Sequence, residues 1–328
     1  MITSFHGKNL ITLQDWSRQE IETVLDVSYD LKRKFAQGIR TPYLQDQTVF
    51  LMFFNTSTRT RNSMEAGITQ LGGHAHYLDS HGMQVSHGES AKDTAIILSS
   101  YGHCIACRCC QWDVGNKYVE EMAKWSRVPV INMQSDLYHP LQGLADLMTI
   151  DEHFKRTNNL NVSIIWTFAT THKKPISVPV SQCLLFPRFG MNVTLAYPKG
   201  YELPDWVIEQ ARKNAEENHG TFRITNDIED AFTNADVVFP KNWGNWVADQ
   251  STDAISDALM ANKSWKCTEK MMSLTNLGSV YMHALPADRQ NEVEDAVIDG
   301  PHSIVYAEAE NRLHTSKAIM DLIMGGRA

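Results

Sequence analysis

At 328 residues the chain is too long for a single small core and suits two domains of ordinary size. Its make-up, 43% hydrophobic and 21% charged, is that of a globular protein, and it offers no apolar run of about 18 residues to span a bilayer. A net charge of -8 excludes a nucleic-acid-binding surface, since phosphate backbones are held by a basic excess, so any anion site must be local. The N-terminal residues Met1 to Lys8 carry neither the apolar core of a secretory signal nor a myristoylation pattern, so a cytoplasmic location is expected.

In chain order, residues 18–38 read as an amphipathic helix with Ile21, Val24, Leu25, Ser28 and Leu31 near one face. A buried strand over 50–54 runs into Asn55-Thr56-Ser57-Thr58-Arg59-Thr60-Arg61 and then a helix over 62–71, where Met64, Ile68 and Leu71 repeat at helical spacing. A short strand at 76–78, a helix over 93–101, an extended run at 103–108, a helix over 117–125 and a strand at 128–132 follow. The segment 141–155 reads as a long helix that carries the chain into a second half. There the strands are expected at 162–167, 191–197, 222–225 and 237–239, and the helices at 204–218 and 228–234. Leu313, Ile319, Leu322 and Ile323 mark a C-terminal helix. This alternation predicts an α/β protein of two domains, each with a mainly parallel sheet flanked by helices. The expected boundaries are 1–148 and 149–306, with a C-terminal helix over 307–328. No GxGxxG follows the first strand of the second half, which argues against a dinucleotide.

The turn after the 50–54 strand is the most telling segment. Three hydroxyls and two guanidiniums fall within residues 57–61. They stand where a helix begins, so unpaired N–H groups and the positive end of the helix dipole join them around one anion. The bland reading is an N-cap by Ser57 or Thr58 with both arginines solvated. Further along stand His139-Pro140-Leu141-Gln142, His283-Ala284-Leu285-Pro286 and Glu310-Asn311-Arg312. Taken singly, His139 reads as a loop histidine capping the next helix, and Arg312 as a surface partner of Glu308 or Glu310.

Together and in this order these segments resemble the aspartate and ornithine transcarbamylase family, from Leu13-Gln14-Asp15-Trp16-Ser17 to Glu308-Ala309-Glu310-Asn311-Arg312-Leu313-His314. The resemblance implies carbamoyl transfer from carbamoyl phosphate to an amine, with no cofactor and no covalent enzyme intermediate. It puts the phosphate on Ser57, Thr58, Arg59 and Thr60, and the carbonyl oxygen on Thr60, Arg108 and His139. It further implies that Gln142 and the backbone carbonyl of Leu285 hold the carbamoyl amide, and that Arg312 reaches the phosphate or carbamoyl end. Ser86-His87-Gly88-Glu89-Ser90 corresponds to the loop that completes a neighbouring subunit's site, which implies a homotrimer with His87 acting across the interface; its bland reading is a solvated glycine loop.

The Ser-Met-Gly loop usual in ornithine enzymes is absent, and no counterpart is found for the arginines of aspartate enzymes. The stretch from Trp166 through His172-Lys173-Lys174-Pro175 to Pro179, with Lys241-Asn242-Trp243, resembles the proline-containing loop of the knotted transcarbamylases, including those for N-acetylornithine and N-succinylornithine. Gln134, Asp288 with Arg289 in place of paired arginines, and Ala284 for a cysteine depart from the N-acetylornithine type; Gln134 and Asp288, with the His87-Gly88-Glu89 loop, resemble members whose substrate is unassigned. The acceptor residues implied are Gln134, Lys241, Trp243, Ala284, Leu285 and Arg289. Lys241 and Arg289 read equally as partners of a substrate carboxylate or as surface charges. Two rivals come from other classes. Cys104, Cys107, Cys109 and Cys110 beside His103 invite a metal, but alternate residues of an extended run face opposite sides, so buried thiols flanking Arg108 are expected instead. The other rival is a non-catalytic carbamoyl phosphate sensor, which would have no need of Gln142 or His139.

Overall fold

The computed structural model describes residues 5–171, 174–244 and 259–325; His172 and Lys173 of the proline-containing stretch lie outside the described residues. The chain divides into two compact units, Met1–Ala145 with Glu310–Ala328, and Asp146–Ala309.

In the first unit, α1 (Arg18–Ala36) is started by a capping box in which Ser17 and Glu20 bond each other's backbone N–H. Four parallel strands, β1 (Thr48–Phe53), β2 (His74–Asp79), β3 (Cys104–Cys109) and β4 (Val130–Ser135), lie in the order β2-β1-β3-β4. Between them run α2 (Arg59–Gln70), α3 (Ala91–Tyr101) and α4 (Gly115–Trp125). Val49 to Phe53 are all buried, the continuous apolar pattern of a parallel strand covered on both faces. Cys107 and Cys109 lie in the core with Met52, Val119 and Met122, and burial pushes the Cys107 thiol well above its ordinary range. Among the described residues no set of three His, Cys, Asp or Glu side chains is gathered for a metal.

In the second unit, β5 (Asn161–Trp166), β6 (Asn192–Ala196), β7 (Thr221–Thr225), β8 (Val237–Lys241) and β9 (Val280–Tyr281) form a parallel sheet in the order β7-β6-β5-β8-β9. The helices are α6 (Ser177–Leu185), α7 (Asp205–Glu217), α8 (Ile228–Phe232), α9 (Glu269–Met272) and α10 (Asp295–Ile298). The division between units falls within α5 (Pro140–Phe154) and within α11 (Val305–Met320). No described helix is long and apolar enough to cross a membrane.

Two differences from the sequence reading have physical causes. The proline-containing stretch turns helical at Ser177, because all nine residues of α6 are buried and leave no polar face to betray a 3.6-residue period. And α2 starts at Arg59 rather than at 62, which brings Arg59, Thr60 and Arg61 into its first turn.

Candidate active site

The order β2-β1-β3-β4 reverses direction between β1 and β3, and in open parallel sheets ligands bind beyond the carboxyl ends of the strands at such a switch point. The carboxyl end of β1 leads through residues 54–58 into α2, and the carboxyl end of β3 carries Arg108. Thr58 stands at the N-cap without a side-chain bond, whereas Ser57 Oγ accepts from Thr60 N at 3.2 Å. The capping role falls to Ser57, and the rest of the α2 N-terminus keeps its anion-binding character. Arg61 departs from the sequence reading: its guanidinium stacks 3.6 Å over the Tyr77 ring and its Nε donates to Glu65 at 3.2 Å. Arg59 is the first residue of α2, and its charge acts on His139.

Thr60 is the hub of the cluster. Its Oγ1, buried, accepts from Arg108 at 3.3 Å and from Arg312 at 3.2 Å. Arg312 also donates to Gln142 Oε1 at 2.7 Å. Both guanidiniums thus bear on the Thr60 hydroxyl, and the two cations polarise it. The surface ion-pair reading of Arg312 fails because the side chain is 2% exposed. A register shift between Cys107 and Arg108 sets Arg108 opposite Gln134, a bulge of the kind that re-aims a side chain beside a site.

His139 is buried, and its carbonyl accepts from Gln142 N and Gly143 N to begin α5. Burial, together with the positive charges of Arg312, Arg108 and Arg59, holds its imidazole well below the usual range. A neutral ring results: a hydrogen-bond donor rather than a cation. His87 lies apart from this cluster, exposed at the end of the short turn Gln84–His87 with Nδ1 3.3 Å from Ser86 Oγ.

In the second unit the strand order reverses between β5 and β8, and its candidate side chains lie at the end of β8 and in the residues after β8 and β9. Lys241 ends β8 with Nζ 3.1 Å from Asn242 Oδ1 and 3.5 Å from Glu292 Oε1. Trp243 is fully buried; its Nε1 donates to Tyr201 O and its carbonyl accepts from Trp166 Nε1, each at 2.9 Å. Leu285 adopts φ 50°, a left-handed conformation uncommon for a bulky residue and concentrated at functional sites. Ala284 is half-buried beside it. Arg289 is taken up by Asp295 at 2.6 Å and Asp299 at 2.7 and 2.8 Å, the surface-charge alternative of the sequence reading. Sequence reasoning missed Glu292, a fully buried carboxylate in an ordinary-looking Asn-Glu-Val run; nothing in one sequence distinguishes it from a surface glutamate.

The geometry agrees with three comparisons. Residues 8–152 match a family model described as aspartate/ornithine carbamoyltransferase, carbamoyl-P binding domain, and residues 167–323 match the Asp/Orn binding domain of the same family. Curated relatives include an ornithine carbamoyltransferase of Halalkalibacterium halodurans, 35% identical over 99% of this chain and 98% of that one. An anabolic ornithine carbamoyltransferase of Pyrococcus furiosus is 36% identical, with 99% of each chain covered. Among solved structures, ornithine carbamoyltransferase from Pyrococcus furiosus superposes with a TM-score of 0.90 at 35% identity over 100% of both chains. An acetylornithine transcarbamylase complexed with acetylcitrulline does so with a TM-score of 0.90 at 32% identity, covering 97% of this chain and 99% of that one.

Proposed function

The chain belongs to the aspartate/ornithine carbamoyltransferase family and is a carbamoyltransferase, and on that premise we propose which residues run the transfer and which acceptor they serve. The acceptor amine attacks the carbonyl carbon of carbamoyl phosphate. The bond from that carbon to the bridging oxygen then breaks, and phosphate leaves with the electron pair and, in the end, the amine proton.

Ser57, Thr58, Arg59, Thr60 and the first turn of α2 seat the phosphate. Thr60, Arg108 and the neutral His139 face the carbonyl oxygen where the tetrahedral oxyanion develops; a single donor of this kind is worth about 3 kcal/mol of barrier. Gln142, fixed by Arg312, is the residue that holds the carbamoyl amide in this reading. The observation that carries the reading is the chain Arg108–Thr60–Arg312–Gln142, four separate stretches of sequence joined through the Thr60 hydroxyl and the Arg312 guanidinium.

The resemblance assigns the Leu285 carbonyl to the same amide, and Gln134, Lys241, Trp243, Ala284 and Arg289 to the acceptor. Of the two cations, Lys241 is the better seat for an acceptor carboxylate, since two aspartates already occupy Arg289. The acceptor is then an amino acid of N-acetylornithine type, or a related amine not yet assigned. Ornithine itself is the second reading, favoured by the ornithine carbamoyltransferases at 35 and 36% identity. We further read 1–148 as the donor domain, 149–306 as the acceptor domain with a knotted proline loop, and the assembly as a homotrimer in which His87 meets a neighbour's carbamoyl phosphate. Mixed trimers of Arg59→Ala and His87→Ala chains then recover activity that neither has alone; no recovery counts against the shared site.

Ureido-product formation from carbamoyl phosphate, screened over ornithine, N-acetylornithine, N-succinylornithine, diaminopropionate and putrescine, tests the acceptor. Turnover is expected for an amine bearing a carboxylate. Preference for putrescine would remove the carboxylate from the reading.

A further inference from the structure

We propose that Glu292 is a positioning residue: one buried carboxylate sets both Lys241 and the His283–Leu285 turn for an acceptor carboxylate. This rests on the acceptor reading above and goes beyond it by naming what holds that subsite in place.

Both oxygens of Glu292 are committed. Oε1 accepts from Asn242 N at 2.6 Å and lies 3.5 Å from Lys241 Nζ. Oε2 accepts from Asp288 N at 2.6 Å and lies 3.4 Å from His283 Nε2. The end of β8 and the turn after β9, far apart in sequence, therefore meet on one side chain. The turn is defined further from within. His283 N donates to Glu308 Oε2 and Leu285 N donates to His283 Nδ1, each at 2.8 Å. Since Nδ1 accepts, the ring proton sits on Nε2, facing Glu292. A change at Glu292 thus reaches the Leu285 backbone through a single imidazole.

Energetic reasoning points away from a purely structural role. Burying an ion pair rarely stabilises a fold relative to apolar packing, and it persists where a defined arrangement is needed. Burial by itself would raise the Glu292 carboxyl, yet Lys241, His283 and the Asn242 N–H together outweigh it and hold the group well below the usual range. Burial pulls Lys241 down, Glu292 pulls it up, the charge of Lys174 lowers it again and that of Asp288 raises it. Lys241 and Lys174 thus stand among Glu292 and Asp288, and it is the fixed Glu292 that sets the direction of the Lys241 ammonium. An ammonium has three N–H groups, of which Asn242 and Glu292 take two directions.

The test compares Glu292→Gln, Glu292→Asp and Lys241→Met with the parent enzyme. The readouts are steady-state kinetics with N-acetylornithine and ornithine, calorimetry with carbamoyl phosphate alone, and the NMR titration of the Lys241 side chain. In Glu292→Gln the KM for the accepted amine rises roughly 30-fold or more while carbamoyl phosphate affinity stays within about twofold. Glu292→Asp recovers part of the loss, and the Lys241 titration midpoint falls in the glutamine variant. Should Glu292→Gln fail to fold, the aspartate variant gives the same comparison. An unchanged KM with an unchanged Lys241 midpoint, or equal losses of acceptor and carbamoyl phosphate binding, would overturn the proposal. If the parent enzyme uses neither amine, the acceptor reading fails, and the Lys241 midpoint decides the role of Glu292 by itself.

Discussion

Protonation of His139 is set by its surroundings rather than by its own chemistry. Burial and three neighbouring guanidiniums keep the imidazole neutral, so its N–H is a donor throughout the physiological range. Replacing it with alanine removes one oxyanion donor, and kcat is expected to fall roughly 100- to 1,000-fold with the fold intact. Arg59→Ala, by contrast, takes away the phosphate's counter-charge, and velocity should no longer saturate with carbamoyl phosphate; unchanged kinetics would contradict its role. The hydroxyl-rich turn drew notice in the sequence by its composition, and the two histidine motifs, weak singly, did so only together with it. The partner of Arg312 was not legible. Helical spacing pointed it at Glu308 or Glu310, whereas the folded chain gives it Thr60 and Gln142, at a separation in sequence that local reasoning does not reach.

At the scale of elements, α2 and α11 act as a pair. Gly67 of α2 faces α11 so closely that an added Cβ would lie 3.0 Å from Met320 Cε and 3.3 Å from Lys317 Cγ. Both are parts of flexible side chains, so Gly67→Ala should be absorbed by small shifts. Gly67→Leu has no such room and pushes α11 off α2. Arg312 then leaves Thr60, and kcat/KM for carbamoyl phosphate should drop about 100-fold through misplacement alone; a leucine variant with parental kinetics would show that the two helices do not set the site. Gly115 is a different case. Its Cβ would fall 1.9 Å from the Cys109 carbonyl oxygen, a rigid backbone atom, so Gly115→Ala should cost stability on the order of 1–3 kcal/mol in urea unfolding. The amphipathic helices and buried strands were readable from periodicity. Buried α6 lacks a polar face, and two-residue β9 is too short to carry a period, so neither was.

For the molecule as a whole, alternating strand and helix patterns foretold two α/β units with parallel sheets, whereas the reversals of strand order, beside which candidate residues stand, were not legible from them. Stability should follow pH in a defined sense. His139 titrates below its ordinary value of 6.5 when folded, and burial pushes His314 down to about 4. The unfolded chain therefore binds more protons below pH 6.5, so stability is full above that value and declines as pH falls toward 4. The urea midpoint should track this window, and His314→Gln should flatten it; a slope that the variant leaves unchanged would assign the loss elsewhere. The central claim is that one carbamoyl donor is gathered by the α2 turn, Arg108, His139, Gln142 and Arg312. A crystal structure with carbamoyl phosphate bound tests it most directly. Phosphate oxygens on Ser57 to Thr60 at the start of α2, with the carbonyl oxygen on Thr60, Arg108 and His139, are the predicted result; the donor lodged elsewhere, with those side chains unengaged, would contradict it.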